Sequence, residues 1–243
     1  MIQISADATK RFFGIEGNLW FTKTGLYSAT PVACAKRTSE LVKTYGGVQE
    51  VVDACCGIGA DLAAFAKDFN AVGYEVDPVT AQVAERNMRA MDLPAKVHCA
   101  DFLDAVQEMK TDCIYLDLPW GGVDYRTKRV NLVLTHAHKG DLVPNGTPRE
   151  YHLHEIIGEH NGRAELFVAK VPTNYDTAHL LALERQKLFR GVNVIPINRK
   201  AGKKGYVAYN IVVLSKKRRN VPAGRWERPI SWRGYKDLMA KLE

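Results

Sequence analysis

Apolar segments of strand length alternate with helical segments from residue 50 onward, and this alternation constrains the fold more than any other feature. Near-continuous apolar strands separated by helices indicate a parallel sheet whose two faces are both covered. The last two strands flank the turn residues AGKKG, which predicts an antiparallel hairpin. The predicted strands are 50–54, 71–76, 95–100, 112–118, 165–171, 192–198 and 206–214. The predicted helices are 61–69, 78–91, 102–110 and 175–189.

This order of elements resembles the layout of class I methyltransferases, an α/β, Rossmann-like fold with a seven-stranded, mostly parallel sheet and helices on both faces. We expect residues 1–49 to form a small helical extension on the substrate side, with a helix from about Pro31. Residues 50–215 are expected to form the methyltransferase domain, and residues 216–243 a basic C-terminal segment. The polar residues 119–150 are expected to form a long loop, which in compact domains often carries function.

The composition and the cysteine pattern exclude several classes of protein. The chain is 46% hydrophobic and 25% charged, which is ordinary for a globular protein, and it has no run of 18 apolar residues. The N-terminus lacks the apolar stretch and cleavage site of a secretory signal. The five cysteines are odd in number and form no C-x-x-C pair, which favours buried thiols over disulfides or a zinc site. We therefore expect an intracellular protein with no membrane contact and no metal.

Positive charge is concentrated towards the C-terminal end of the chain. Residues 199–243 hold 13 Lys and Arg against 3 Asp and Glu, a balance of +10, so the rest of the chain carries −3 within the total of +7. A basic segment on a slightly acidic body indicates a polyanionic partner, nucleic acid or phosphate. A solvated tail explains the same charges, and the composition leaves both interpretations open.

A glycine turn follows the first strand of the predicted sheet, in VVDACCGIGAD (51–61). Gly57 and Gly59 let the backbone approach a ligand and leave helix N-terminal amides to bind it. The dinucleotide fingerprint G-x-G-x-x-G/A is not met, because Leu62 holds its third small position. Asp53 repels a phosphate but attracts a cationic amino or sulfonium group. These residues favour S-adenosyl-L-methionine over NAD, with a sheet that binds no nucleotide as the remaining alternative.

Acidic residues at the ends of the next two strands extend the predicted cofactor pocket. Glu75 has the position that binds ribose hydroxyls in doubly wound folds. Asp101 is expected to accept a hydrogen bond from the adenine amino group, with Phe102 and Val76 as walls. Strand-end capping is the alternative role for Asp53 and Asp101. The cofactor-binding residues predicted in this part of the chain are Asp53, Cys55, Gly57, Gly59, Glu75, Val76, Asp77, Asp101 and Phe102.

The tetrapeptide Asp117-Leu118-Pro119-Trp120 ends the fourth strand, at the edge where open α/β sheets bind ligands. An exocyclic amine on a base is a poor nucleophile, because its lone pair is delocalised into the ring. A carboxylate or carbonyl that accepts the amine hydrogens orients the nitrogen and favours its tetrahedral form. Pro119 stiffens the turn, and Trp120 offers a face on which a base stacks, unless it only packs under the following loop. We predict these four residues to be catalytic and Asp117 to contact the cofactor as well.

Four motifs, VVDACCGIGAD, GYEVDP, ADF and YLDLPWGGVDY, together resemble the trimethylguanosine synthase family, whose signature is (S/D)-P-P-W-G-G-P-D-Y. GLYSATPVACAKRTSELV (25–42) resembles the family's segment before the first strand, and FVAKVPTNYD (167–176) its later strand and L-P-R-N turn. The resemblance implies methylation of the guanine N2 amine on 7-methylguanosine-capped RNA, with S-adenosyl-L-methionine as the donor. It also implies that Trp120 stacks on the methylated guanine. On the same basis, Thr30 and Pro31 are assigned to the cofactor, and Ser28, Trp120, Asn174 and Lys10 to the substrate.

Three positions depart from the pattern of that family. Asp117 stands where the family often has Ser, Leu118 replaces its first proline, and Thr173 replaces the arginine of its later turn. Without that arginine, contacts to the cap phosphates fall to other basic residues such as Lys10. Asp117 makes the site resemble the broader (N/D)-P-P-(Y/F/W) methyltransferases of adenine N6 or guanine N2. A methyltransferase for one of these amines in another RNA or DNA is therefore the alternative, and a non-catalytic RNA-binding subunit is the third hypothesis.

Overall fold

The computed structural model of the chain describes residues 2–3, 6–127, 130–136, 148–201, 204–217 and 230–232. Its strands are β1 (Ile2–Gln3), β2 (Trp20–Phe21), β3 (Glu50–Asp53), β4 (Asn70–Glu75), β5 (Lys96–Cys99), β6 (Thr111–Leu116), β7 (Val133–His136), β8 (Arg149–His152), β9 (Ala164–Val171), β10 (Gly191–Ala201), β11 (Lys204–Ser215) and β12 (Ile230–Trp232). Its helices are α1 (Ala6–Phe13), α2 (Lys23–Ser28), α3 (Val32–Thr44), α4 (Ala60–Phe65), α5 (Pro78–Ala90), α6 (Phe102–Ala105), α7 (Leu153–Glu159) and α8 (Ala178–Arg185), with a 3-10 helix at Val123–Thr127.

The main sheet has the strand order β12-β10-β11-β9-β6-β3-β4-β5. Strands β3, β4, β5, β6 and β9 are parallel to one another, and β11 runs antiparallel to both β9 and β10. The predicted seven-stranded, mostly parallel sheet with its closing hairpin is therefore confirmed, and β12 adds a short eighth strand beside β10. The chain order reverses between β3 and β6, so ligands are expected at the carboxyl ends of these two strands.

Both faces of the sheet are covered, because successive residues of the central strands enter two different cores. Val51 belongs to the core on one face, with Phe65 and Met88, while Val52 belongs to the core on the other face, with Ile156. Burial on both faces explains why the strands are apolar throughout instead of alternating. It also keeps the polar residues at the strand ends, where the site lies.

The segment predicted as one long loop, 119–150, contains more structure than expected. Its strand β7 pairs antiparallel with β8, with Val133 opposite His152, and α7 follows directly. The interpretation was wrong because Val130 and Leu132 are buried in the second core and anchor this hairpin, although polar residues surround them in the sequence. The N-terminal extension is helical as expected, but β1 and β2 add a two-stranded sheet to it.

The predicted helix positions are confirmed, whereas several predicted lengths are wrong. Helix α3 begins after Pro31, as predicted, but α4, α6 and α8 end four to five residues early. The backbone of Lys187, just after α8, has φ of 60°, which is incompatible with a continuing right-handed helix. No helix in the described ranges is both long and apolar enough to cross a membrane. The predicted segment boundaries stay predictions, and of the basic segment 216–243 only 216–217 and 230–232 fall among the described residues.

Candidate active site

Three aspartates and one lysine form a buried cluster at the carboxyl ends of the central strands, called here the acid–lysine cluster. Asp53 ends β3, and the register pairs it with Tyr115 of β6, two residues before Asp117. Lys170 lies in β9, the other neighbour of β6, next to the pair formed by Ala169 and Leu116. The cluster consists of Asp53, Asp61 from the first turn of α4, Asp117 and Lys170.

The ammonium group of Lys170 joins the cluster to the N-terminal extension. Its side chain is only 6% exposed, and Nζ donates to Asp117 Oδ2 at 2.6 Å and to Thr30 Oγ1 at 2.7 Å. Nζ also lies 4.0 Å from Asp61 Oδ2, which accepts a hydrogen bond from the Thr30 hydroxyl. The predicted cofactor residue Thr30 therefore lies in this cluster. Neighbouring Pro31 is the residue that precedes the first turn of α3.

The electrostatics of the cluster favour an incoming cation. Burial raises the pKa of Asp53 well above its usual range, and the charges of Asp61 and Asp117 raise it further. Burial also raises the pKa of Asp117, to about 6, against the opposing effect of Lys170. Burial alone would lower the pKa of Lys170, but Asp117 and Asp61 outweigh it, so the lysine pKa is raised and the side chain stays cationic. The cluster thus has three carboxyl groups for one ammonium.

Both carboxyl oxygens of Asp53 are buried without a hydrogen-bond partner. The Cys55 backbone amide is near enough to lower the Asp53 pKa slightly, but it does not reach bonding geometry. Asp61 Oδ1 is also buried and unpartnered. Unpaired buried carboxyl oxygens are costly, and an ammonium or sulfonium group satisfies them. Within the described residues, no group of His, Cys, Asp and Glu is arranged to hold a metal ion.

The glycine turn leaves space for a ligand beside its backbone. Gly57 and Gly59 have backbone φ angles of 53° and 88°, which residues other than glycine rarely adopt. A Cβ on Gly57 would meet nothing within 4 Å, whereas one on Gly59 would lie 2.6 Å from Met88 Cε. The backbone at Gly57 is therefore open to a ligand, whereas the backbone at Gly59 is packed against Met88. Cys55, between Asp53 and Gly57, is partly buried, and burial raises its pKa well above the usual range, so the thiol is neutral.

Glu75 closes this turn from the end of β4. Its Oε2 accepts from the Gly57 amide at 3.1 Å, and its Oε1 accepts from the Asp77 amide at 2.9 Å. Each carboxylate oxygen has a second lone-pair site, so the pair can still accept from two adjacent hydroxyls. Burial raises the pKa of Glu75, although these amides oppose the effect. The side chain of Asp77 itself caps α5 by accepting from the Thr80 amide at 2.8 Å. The Thr80 hydroxyl, and after it this amide, lowers the pKa of Asp77.

The residues predicted to hold an adenine ring differ in how accessible they are. Val76 is 68% exposed, so its side chain is open to a covering ring. Phe102 is only 3% exposed and packs edge-to-face on Tyr74, so little of its ring is open to a ligand. Asp101 caps α6 by accepting from the Leu103 amide at 2.8 Å. The alternative role of capping is thus found for Asp101, whereas the Asp53 oxygens cap nothing in the described structure.

The tetrapeptide after β6 has one buried residue, one exposed residue and two that are partly buried. Leu118 is 1% exposed and packs in the second core, which anchors the turn, while Pro119 is exposed. Trp120 is half-buried, with its ring edge-to-face to Tyr125 at 4.9 Å and Lys170 Nζ 5.4 Å from the ring centroid. The indole N–H is buried and reaches no partner at bonding geometry, although it is near enough to Asp117 to favour the charged carboxylate.

The predicted substrate residues are only partly brought together. Asn174 Nδ2 donates to the carbonyl oxygen of Tyr125 at 2.8 Å, so Asn174 lies beside the aromatic pair that includes Trp120. Ser28 is exposed at the end of α2 and donates to the Thr24 carbonyl at 2.9 Å. Lys10 forms an exposed ion pair with Glu16 at 2.5 Å, and no contact in the described structure connects it to the acid–lysine cluster. Its predicted substrate role stays a prediction.

Two members of the cluster, Lys170 and Asp61, were not predicted from the sequence. Lys170 is a charged residue inside the apolar run ELFVAKV, and such a residue in a buried strand requires a buried partner. That signal was present in the sequence, but it did not name the partner. Asp61 directly follows the glycine turn, where an acidic residue in the first turn of a helix is common for reasons unrelated to ligands.

Known proteins resemble this chain both in sequence and in fold. A family model described as RNA cap guanine-N2 methyltransferase matches residues 48–212. Trimethylguanosine synthase from Schizosaccharomyces pombe is 24% identical over 127 residues, which are 49% of this chain and 53% of that protein. The chain thus spans about half the length of the curated relative that it matches.

Solved structures show the fold independently. The S-adenosylmethionine-dependent methyltransferase from Agrobacterium tumefaciens has a TM-score of 0.54 at 16% identity. The match covers 78% of this chain and 64% of the Agrobacterium protein. A METTL16 methyltransferase domain has a TM-score of 0.53 at 16% identity, and the match covers 88% of this chain and 94% of that domain. Because the family match extends over more than half of the chain, this protein belongs to the RNA cap guanine-N2 methyltransferase family.

Proposed function

We propose that this protein methylates the exocyclic N2 amine of guanine in a 7-methylguanosine RNA cap, with S-adenosyl-L-methionine as methyl donor. The family match and the resemblance to trimethylguanosine synthase support this assignment. The observation that carries it is the arrangement of Asp117 and Trp120. A carboxylate and an aromatic ring, three residues apart, lie at the strand end next to the unpaired Asp53. An amine acceptor and a base-stacking face thus adjoin a site suited to a cationic donor.

The residues at the ends of β3 and β4 fit S-adenosylmethionine. We assign Asp53, with its two unpartnered oxygens, to the cationic methionine end of the cofactor. The open space at Gly57 lets this end approach the backbone closely. Glu75 is assigned to the ribose hydroxyls and the exposed Val76 to one face of the adenine. When bound, the donor supplies a methyl group on a sulfonium sulfur, which keeps the C–S electron pair as the new N–C bond forms.

The acceptor amine is assigned to Asp117. Its carboxylate accepts an amine hydrogen, which turns the nitrogen lone pair towards the methyl group and stabilises the positive charge that develops on nitrogen. The methylated nitrogen then releases one proton, which the carboxylate can accept. Trp120 holds the base by stacking, an interaction of about 1–3 kcal/mol per base. A cationic 7-methylguanine adds a cation–π contribution of about 0.5–2 kcal/mol.

A second candidate is a guanine-N2 or adenine-N6 methyltransferase that acts on another RNA or on DNA. Asp117 favours this candidate, because the structure holds a charged carboxylate where the related family often has serine. The exposed Thr173 stands where the family has an arginine, so this turn offers no charge to a cap triphosphate. The basic balance of residues 199–243 suits a polynucleotide through its phosphates.

The discriminating experiment compares acceptors with the full-length protein. Labelled S-adenosylmethionine is incubated with a 7-methylated cap dinucleotide, the same dinucleotide without the 7-methyl group, and an uncapped structured RNA. Our proposal expects methyl transfer to the 7-methylated dinucleotide alone, with mass spectrometry placing the new methyl on N2. Equal transfer to both dinucleotides, or transfer to neither, would contradict it, and methylation of the uncapped RNA alone would establish the second candidate.

A further inference from the structure

Lys170 is buried where a charged side chain is expensive. Moving an ammonium group into the interior costs several kcal/mol, which good pairing only partly returns. Lys170 lies near the end of β9, in a strand whose other residues are almost all buried and apolar. A methionine or leucine here would extend the core without that cost. The position of the lysine therefore calls for an explanation other than packing.

The contacts of Lys170 act mainly on Asp117. Its Nζ donates to Asp117 Oδ2 at 2.6 Å, which holds that oxygen in place. In the proposed reaction, the bound amine is therefore assigned to Oδ1. The rest of the cluster works against Asp117, because Asp61 and Asp53 place two more acidic groups nearby. Without the ammonium, a carboxyl group buried among carboxyl groups takes up a proton. Protonated Asp117 would be a hydrogen-bond donor or a poor acceptor where the reaction needs an anion.

The surroundings of Asp117 come from several elements. Asp117 interacts electrostatically with groups on these elements. They are Lys170 from β9, Asp61 from α4, Asp53 from β3, Tyr115 from β6, Tyr209 from β11, and Trp120 and Cys55 from the neighbouring turns. Lys170 is the cationic group among them. Its other hydrogen bond, to Thr30 Oγ1, extends the same network to the N-terminal extension.

We propose that Lys170 is a positioning residue for methyl transfer, which holds Asp117 ionised and orients Oδ1 towards the acceptor amine. This inference rests on the proposed role of Asp117 in amine methylation. Lys170 contacts neither the base nor the methyl donor in this scheme and acts only through Asp117. The pairing also accounts for the departure from the family's serine: a buried aspartate serves as an acceptor only with a cation beside it.

The test is the pH dependence of kcat in Lys170→Met, with the full-length protein and whichever acceptor the wild type methylates. The wild type is expected to lose activity below about pH 6, where burial places the pKa of Asp117. In Lys170→Met the pH at which activity falls by half should rise by at least about one unit. This change lowers kcat at pH 6 about fivefold or more and restores it at pH 9. Lys96→Met, an exposed lysine on the edge strand β5, is the matched control and should keep the wild-type profile.

A purely structural role predicts a different pattern. It lowers kcat by the same factor at every pH, and that result would overturn the proposal. Lys170→Gln keeps a hydrogen-bond donor but removes the charge, so its kcat–pH profile should shift upward in the same way. This variant replaces Lys170→Met in the test if the methionine variant does not fold. In the Asp117→Asn background, adding Lys170→Met should cost no further activity, because the two residues act as one unit. It should also cause no shift of the pH profile of kcat.

A readout without turnover separates this inference from the proposed function. Carbon-13 NMR of aspartate carboxyl groups follows the titration of Asp117 directly, with Asp117→Asn assigning the signal. The Asp117 pKa should rise in Lys170→Met and stay unchanged in Lys96→Met. An unchanged Asp117 pKa would overturn the inference even in an active enzyme. Absence of methyl transfer to any cap would overturn the proposed function, while the NMR shift would still support Lys170 as the residue that keeps Asp117 charged.

Discussion

Asp53→Asn is the substitution for which the structure predicts opposite effects on stability and on cofactor binding. Asp53 is 1% exposed, neither of its oxygens has a partner, and burial raises its pKa well above the usual range. An ionised carboxylate in this place opposes folding in the absence of ligand. The same unpaired charge is what we assign to the cationic end of S-adenosylmethionine. Asparagine removes the charge with little change in shape.

The magnitude follows from proton linkage. Between the unfolded-state pKa of about 3.9 and the raised folded-state pKa, the folded protein binds more protons than the unfolded chain. Its stability therefore falls by about 1.4 kcal/mol for each pH unit in that window, and the loss is complete above the folded-state pKa. Asparagine has no such loss, although its unpaired amide costs about 1–3 kcal/mol at every pH. Relative to the wild type, Asp53→Asn should gain stability as the pH rises.

The assay is thermal unfolding without and with S-adenosylmethionine, at pH 5 and pH 8. Each 1 kcal/mol should appear as about 2–4 °C in Tm for a domain of this size. The wild type should gain about 2.7 kcal/mol at a cofactor concentration of 100 Kd, and Asp53→Asn should lose most of that gain. The matched control is Asp92→Asn, an exposed aspartate after α5, which should follow the wild type throughout. A difference in stability that does not change with pH would contradict the raised pKa of Asp53. Full cofactor stabilisation in Asp53→Asn would contradict its role in cofactor binding.

Three further substitutions test other parts of the site. Trp120→Ala should abolish turnover yet keep the cofactor-induced rise in Tm, and Trp120→Phe should retain part of the turnover; full activity of the alanine variant would remove the stacking role. Gly59→Ala should destabilise the apo protein by about 1–3 kcal/mol, because of its positive φ and the close Met88 contact. Gly57→Ala has the strain of a positive φ but no such contact, so it should cost less stability and should also weaken cofactor binding as measured by calorimetry. Leu118→Ala should cost about 2–5 kcal/mol in denaturant unfolding without changing the cofactor Kd, because this side chain is core.

The sheet and the cofactor edge were predictable because they depend on local patterns. Apolar strand runs recur at regular intervals, and the glycines at 57 and 59 do take positive φ. Asp53 was also placed correctly at the end of β3, since strand ends follow from the apolar runs. The hairpin β7–β8 was not predicted, because its burial depends on a tertiary contact of Leu132 and Val130 that no local pattern encodes.

The acid–lysine cluster was out of reach of the sequence for a related reason. The hydrogen bond between Lys170 and Thr30 spans 140 positions, and the bond between Lys170 and Asp117 spans 53. Only the sheet order, which places β9 beside β6, brings these residues together. The sequence indicated a cofactor role for Thr30 by resemblance alone, while the structure gives it a defined place between Lys170 and Asp61.

The two neighbouring strand ends differ in one respect that gives them separate roles. Asp117 has a permanent partner in Lys170, so its charge is compensated inside the protein and its orientation is fixed. Asp53 has no partner and a raised pKa, so its ionised form is compensated only when a cation arrives. A compensated carboxylate suits a neutral amine, which needs a directed acceptor, whereas an uncompensated one suits a cationic donor, which needs an opposite charge. Exchanging the two environments would leave the amine facing a protonated carboxyl and the donor facing an ion pair already satisfied. In the function that we propose, the placement of Lys170 therefore assigns donor and acceptor to two neighbouring strand ends.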